Sequence, residues 1–310
     1  MIKNLKIKTL SQNGMTLVEL MIAMLLGLIL TASLVQVFLA NKQTFMMADF
    51  LGRAEENGRY AMNILTDDIR MAGYSSGDPV IDLMPNAILG ENRDLIADTV
   101  SASSDCNVTE GWCTRNGDES VNPMTDATDA ARTQLIAGSD RIALQFDPVD
   151  DRDCTGVATP SASSVIANVY WVAKDSANDD MPTLYCRGYD PDTKTWMVNS
   201  TAQPLVAGID TLQVLYGEIS GTGIDGDPNR FLFRYISADR VTDWRKIKRV
   251  RIAVLARANG EGSGNRSQKS YAVLDAGLFT FTDTRTRVLY ETTVSMNNVN
   301  AVSAIVNENI

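Results

Sequence analysis

One uninterrupted apolar segment near the start of the chain dominates the hydrophobic pattern. Leu20–Ala40 contains no ionisable side chain. As an α-helix rising ~1.5 Å per residue, this segment would span ~30 Å, the thickness of a bilayer core. A short stretch with Lys3, Lys6 and Lys8 precedes it, and a basic stretch of this kind stays in the cytoplasm. The pattern therefore predicts a membrane helix with the rest of the chain exported.

The helical period continues beyond the apolar segment. Apolar or small residues recur every three or four positions, and charged residues lie between them. This predicts one long helix over 15–73, with a transmembrane part over 15–40 and an amphipathic part that packs on a folded domain. The predicted buried face comprises Leu51, Ala54, Gly58, Met62, Leu65, Ile69 and Ala72.

Downstream of the helix the pattern changes to short apolar runs with strand character, separated by clusters of turn-forming residues. Ser, Asp, Asn, Thr, Gly and Pro dominate residues 101–133, which predicts a long polar surface loop. We expect an α+β fold in which the long helix packs on a mainly antiparallel β-sheet, within a globular domain over 74–310. The predicted strand segments begin at Asp140, Val165, Thr183, Ile209, Phe231, Val250, Tyr271 and Val288.

A specific motif marks the junction between the basic stretch and the apolar segment. Gly14–Glu19 reads GMTLVE, and no small-residue secretory cleavage site follows the apolar run. The basic leader, the motif and the apolar helix together resemble the type III prepilin signal of the type IV pilin superfamily. Ala54–Tyr74, with the sequence AEENGRYAMNILTDDIRMAGY, is similar to the helix end of PilW-type minor pilins. The alternative is a plain signal anchor that carries the motif by chance.

The resemblance implies roles for three residues at this junction. Residues 1–14 would be a leader that prepilin peptidase removes between Gly14 and Met15, and Met15 would become the methylated N-terminus. Glu19 would pair with the charged N-terminus of a neighbouring pilin during assembly. A carboxylate inside a membrane segment is costly and usually functional. The alternative is a Glu19 carboxylate that reaches the membrane interface from near the helix end.

The implied function is that of a minor pilin, held in the bacterial inner membrane with a periplasmic domain and later present in the pilus fibre at the cell surface. It would prime assembly at the pilus tip, and so support adhesion, twitching motility or DNA uptake. Its partners would be other minor pilins, the major pilin, prepilin peptidase and the inner-membrane assembly platform. The closest alternative is a J-type minor pseudopilin of a type II secretion system.

A membrane-tethered periplasmic enzyme is the alternative from another class. The chain contains no histidine, which excludes an imidazole base and imidazole metal ligands. We therefore expect no catalytic activity, no cofactor and no metal site. The net charge of −10 repels polyanions, so any role with nucleic acid should be indirect or local.

Four cysteines follow the predicted membrane helix, and an even number in an oxidising compartment predicts disulfides. Three pairings are possible, and the shortest loops join Cys106 to Cys113 and Cys154 to Cys186. A metal site would require tighter spacing than these cysteines have.

A group of aspartates precedes Cys154. It is either a solvated acidic turn or a loose calcium site, and the sequence leaves both interpretations open. The group comprises Asp147, Asp150, Asp151 and Asp153.

A cluster of basic residues stands out in this acidic chain. On a strand, Val250 and Ile252 would point inward while Arg249 and Arg251 point outward. The cluster is either a solvated strand face or a docking patch for an acidic pilin neighbour or for DNA. Its members are Arg245, Lys246, Lys248, Arg249 and Arg251.

Overall fold

The structure, a computed structural model, describes residues 14–75, 88, 114, 138–160, 165–193, 195–222, 231–241, 243–258, 260 and 268–298. The chain divides into two compact units, Met1–Ala48 and Asp49–Ile310. Residues 1–13 of the predicted leader lie outside the described residues, as do Cys106, Cys113 and most of the predicted polar loop.

Helix α1 spans Leu17–Met71, which confirms the long helix that the periodicity predicts. In the first unit its side chains are almost all exposed. In the second unit one face is buried, and it comprises Ala54, Gly58, Ala61, Met62, Leu65 and Ile69. Leu51 is an exception to the predicted stripe, because 39% of it is exposed.

The strands of the second unit form antiparallel sheets, as predicted. The strands are β1 (Ile142–Phe146), β2 (Ile166–Asp175), β3 (Met181–Asp190), β4 (Thr195–Trp196), β5 (Gln203–Ala207), β6 (Ile209–Thr222), β7 (Phe231–Ile236), β8 (Ile247–Arg257), β9 (Lys269–Ala272), β10 (Leu278–Phe281) and β11 (Arg287–Ser295). The first sheet has the order β1-β2-β3-β4, and β5 also pairs with β3. The second sheet has the order β11-β8-β6-β7, and β9 and β10 form a separate hairpin.

The prediction of one continuous strand beginning at Tyr271 is wrong. The chain turns after Val273, where Leu274 has a φ of 46° and Gly277 a φ of 81°. Glycine adopts this left-handed region without the penalty of a Cβ. The segment is therefore the β9–β10 hairpin, with Leu278 paired to Ala272.

The buried face of α1 shares one hydrophobic core with both larger sheets. The Asn57 side chain donates a hydrogen bond to the Ala207 carbonyl of β5 at 2.9 Å. On the other sheet, the Tyr290 hydroxyl of β11 donates to the Glu55 carbonyl at 3.1 Å. The second half of the helix is thus joined to both sheets by hydrogen bonds as well as by apolar packing.

The C-terminal end of α1 is closed by a glycine and a distant asparagine. Gly73 has a φ of 80°, the conformation that commonly stops a helix. The Asn298 side chain donates to the carbonyls of Arg70 and Met71, both at 3.2 Å. These bonds satisfy acceptors that the end of a helix leaves open.

The predicted surface loop is not exposed throughout. Thr114 is fully buried, and its hydroxyl accepts a hydrogen bond from the Ala143 backbone N–H of β1 at 2.9 Å. At this position the segment covers the edge of the first sheet instead of lying in solvent.

Candidate functional site

The predicted processing site lies directly ahead of α1. Gly14, Met15 and Thr16 precede the helix and are exposed. The Thr16 hydroxyl accepts a hydrogen bond from the Glu19 backbone N–H at 3.3 Å, and the Thr16 carbonyl accepts one from Leu20 at 3.2 Å. Thr16 therefore caps the helix, and the Gly14–Met15 peptide bond lies outside it. Exposed backbone without regular structure is the form that proteases cut most readily.

Glu19 occupies the first turn of α1 with an exposed side chain. The helix dipole favours a carboxylate there by about 0.3–1 kcal/mol. Within the described part of the chain, no cation forms an ion pair with Glu19.

The apolar part of α1 follows Glu19 directly. An 18-residue window of the helix has a mean hydropathy of 2.4, and none of that window is buried. By length and composition this helix is able to cross a membrane. The junction thus combines a non-helical Gly14–Met15 bond, a carboxylate without an ion pair among the described residues, and an apolar helical surface.

A second polar site lies where the end of α1 meets the first sheet. The Asp68 carboxylate accepts hydrogen bonds from the Tyr170 hydroxyl at 2.6 Å and the Asn168 side-chain amide at 2.8 Å. Asn168 in turn accepts a hydrogen bond from the Cys154 backbone N–H at 3.0 Å. Asp68 keeps some exposure as a residue, but its carboxyl group is enclosed, and this burial raises its pKa.

Asp68 is not among the site residues predicted from the sequence. Its position in the sequence could have indicated it: Asp68 lies three residues after Leu65 and four before Ala72. This spacing places Asp68 on the buried face of the helix. A carboxylate on a buried face requires hydrogen-bond partners, but the sequence pattern does not show that these come from β2.

Cys154 and Cys186 form a disulfide across 32 positions of sequence, as the shorter-loop pairing predicts. Cys186 is fully buried in the shared core. The disulfide fixes the segment before β2 to strand β3, next to the Asn168 link to α1.

The acidic turn is held together by its own hydrogen bonds. Asp153 accepts bonds from the backbone N–H groups of Thr155 at 2.9 Å and Val157 at 2.8 Å, and from the Ser200 hydroxyl at 2.7 Å. Among the described residues, no three acidic or cysteine side chains come close enough to hold one metal ion. Asp153 therefore serves as a structural acceptor, and nothing in the described turn favours the calcium interpretation.

The basic cluster does not form one surface. Arg245 pairs with Asp243 at 2.9 Å. Lys248 is buried, and this burial lowers its pKa to about 8. Only Arg249 and Arg251 lie together on the outer face of β8, opposite the buried Val250 and Ile252. The inward and outward side chains of β8 alternate as predicted. The other three basic residues, however, do not share the outer face with these two arginines.

Two family models match the chain. The Type IV Pilus-assembly protein W model matches residues 169–298, which contain most of β2 and all of β3 through β11. The Prokaryotic N-terminal methylation motif matches residues 10–35, which contain the GMTLVE sequence and most of the apolar helix. The chain is therefore similar to PilW-type pilus-assembly proteins over residues 169–298, and it carries the N-terminal methylation motif of type IV prepilins over residues 10–35.

Pilin-type families are generally structural rather than enzymatic. Among solved structures, this chain is similar to the type IV-like pilin TTHA1219 from Thermus thermophilus. The two are 14% identical with a TM-score of 0.30, and the match covers 52% of this chain and 80% of the other. None of the curated proteins matches this chain.

Proposed function

We propose that this protein is a minor pilin that primes assembly of a type IV pilus. Before assembly it is held in the inner membrane with its second unit in the periplasm. During assembly it joins other minor pilins at the tip of the fibre. Adhesion, twitching motility or DNA uptake then follow from the fibre and not from any catalysis by this chain.

The observation that carries the proposal is the junction at the start of α1. Removal of residues 1–14 between Gly14 and Met15 would leave a new, methylated amino group at Met15, close to the Glu19 carboxylate. Because Glu19 has no cationic partner in the described chain, the amino terminus of a neighbouring subunit can neutralise it. Neutralisation matters because the carboxylate borders an apolar surface, where an unpaired charge is costly. The match of residues 169–298 to the PilW model supports a pilin role for the chain.

The test compares wild type, Glu19→Ala and Glu19→Asp in cells that assemble pili, with mass spectrometry of the N-terminus and recovery in sheared pili as measurements. Wild type should lack 14 residues and carry one methyl group on Met15. Glu19→Ala should enter the membrane normally but fall at least about tenfold in sheared pili, because removing the charge favours the bilayer and removes the pairing. Glu19→Asp, which keeps the charge, should retain part of the incorporation.

An intact Met1 terminus, or normal recovery of Glu19→Ala in pili, would overturn the proposal. Loss of secretion in a deletion strain whose pili assemble normally would assign the protein to a secretion pseudopilus instead.

A further inference from the structure

The outer face of the second sheet carries two arginines stacked on aromatic rings. The Arg249 guanidinium lies 4.2 Å from the centre of the Phe233 ring, and the Arg251 guanidinium lies 4.3 Å from that of Tyr235. Both arginines belong to β8 and both aromatics to β7, so the side chains cross the intervening strand β6. These four residues are called the arginine face below.

Gly217 on β6 makes this crossing possible. It is paired with Arg249 on one side and with Tyr235 on the other. A Cβ at Gly217 would lie 3.0 Å from the Arg249 Cβ and 3.2 Å from the Tyr235 ring, closer than side chains normally pack. Because Gly217 has no side chain, the arginines can lie flat across β6 at this position and reach the aromatic rings.

The two guanidinium groups differ in their carboxylate neighbours. Arg251 donates to the Thr293 hydroxyl at 3.2 Å and lies 3.9 Å from the Glu291 carboxylate. Arg249 is exposed, and no carboxylate of the described chain forms an ion pair with it. Its charge is therefore fixed in place by a ring but not neutralised within the described chain.

We propose that the arginine face docks an acidic surface segment of a neighbouring pilin subunit. This inference rests on the proposed function, because that function supplies the neighbour. A guanidinium whose orientation is already set by an aromatic ring loses little side-chain entropy on binding. Its free N–H groups can donate two parallel hydrogen bonds to one carboxylate, which a lysine cannot do.

Charge complementarity favours a short acidic protein segment over nucleic acid. The whole chain has a net charge of −10, which repels an extended polyanion. The face offers two cations, and one of them already has Glu291 nearby. Nucleic-acid sites usually neutralise several phosphates in a row, whereas one or two carboxylates of a protein loop match the two cations.

The first measurement is binding of a fluorescein-labelled hexaglutamate peptide to the full chain in neutral detergent at low salt. Arg249→Glu should weaken binding about tenfold, and less at high salt, because screening already reduces the attraction. Arg249→Lys should give a smaller loss, since it keeps the charge without the planar group. Arg240→Glu is the matched control, because it makes the same charge change at an exposed position outside the face and should leave binding unchanged.

The second measurement places a photocrosslinking residue at Ser295, which is exposed and paired with Arg249 on β11. In pilus-assembling cells it should crosslink to another pilin subunit, and the crosslink should be lost in Arg249→Glu but not in Arg240→Glu. No peptide binding, equal losses in both variants, or no crosslink to a pilin would overturn the proposal. Tighter Arg249-dependent binding of a 20-residue oligothymidine would reassign the face to nucleic acid.

The N-terminus of the same preparations separates the two proposals. A processed Met15 terminus without peptide binding rejects the arginine face and leaves the pilin role intact. An unprocessed terminus with Arg249-dependent binding rejects the pilin role and leaves the face as a site for acidic segments.

Discussion

Asp68 shows how a single side chain joins the helix to the sheet. Its carboxylate accepts hydrogen bonds from Tyr170 and Asn168, and Asn168 accepts one from Cys154 of the disulfide. Removal of the acceptor would leave two donors unsatisfied, at a cost of about 1–3 kcal/mol each when they are buried. Burial raises the pKa of Asp68, and the hydrogen bonds from Tyr170 and Asn168 oppose that shift only in part.

The pH dependence of stability should reveal this carboxyl. Because its folded-state pKa lies above the ordinary value of 3.8, the folded protein holds the proton more tightly than the unfolded chain does. The stability advantage of wild type over Asp68→Asn should therefore be greatest below pH 3.8 and should decline as pH rises through the folded-state pKa. Thermal unfolding of the full chain in detergent at a series of pH values measures this difference. Asp67→Asn, an exposed neighbour, is the control, and the same decline there would rule out the role assigned to Asp68.

Site residues that belong to a short continuous motif could be predicted from the sequence. Site residues defined by contacts with distant parts of the chain could not. The motif from Gly14 to Glu19 is a local signal, and the methylation-motif match covers it. The partners of Asp68 lie 100 and 102 positions away. The position of Asp68 on the helix can be predicted from its periodicity, but which sheet residues face it depends on the completed fold.

Among the elements, α1 was the easiest to predict, because its apolar period extends over many turns. Most strands were predictable from short apolar runs, and the segment from Tyr271 failed because a turn interrupts an otherwise strand-like composition. The short strands β4 and β5 were missed. They pair with β3 at its two ends, and their length offers too few positions for an alternating pattern.

Two glycines on α1 provide a matched test of how closely the helix approaches the second sheet. A Cβ at Gly58 would overlap the Tyr290 ring and lie 3.1 Å from the Ala256 Cβ, whereas at Gly52 it would have no described atom within 4 Å. Gly58→Ala should therefore lower the free energy of unfolding by about 1–3 kcal/mol through overpacking. Gly52→Ala should raise it by up to about 1 kcal/mol, because alanine favours the helix.

Chemical denaturation of the full chain in detergent measures both glycine variants. Equal effects of the two substitutions would contradict the close contact between α1 and strands β8 and β11.

For the whole molecule, the two units carry different features: the first holds the predicted membrane segment, and the second holds the disulfide-bonded β-sheet domain. The apolar half of α1 lies in the first unit, and the Cys154–Cys186 disulfide lies in the second. A disulfide that closes a loop of this size stabilises a domain by about 2–4 kcal/mol. Its loss should therefore weaken the second unit without affecting membrane attachment.

This prediction is tested with a Cys154→Ser/Cys186→Ser double variant. Limited proteolysis of membranes should cut the variant faster than wild type, while an equal amount of both remains in the membrane fraction. Release of the variant from the membrane, or unchanged protease resistance, would contradict the prediction that the disulfide stabilises the second unit without affecting membrane attachment.

The hydrogen bonds from Asn298 to the end of α1 have a consequence for the order of synthesis and folding. They join residues 228 and 227 positions apart, and Tyr290 reaches Glu55 across 235 positions. The ribosome completes α1 long before it makes strand β11 and Asn298, so the second half of the helix lacks these partners until late in synthesis. Long-range closure of this kind is slow and leaves apolar surface exposed in the meantime. The second unit can therefore reach its native state only after β11 has been synthesised, and under the proposed function this last step of folding would take place in the periplasm.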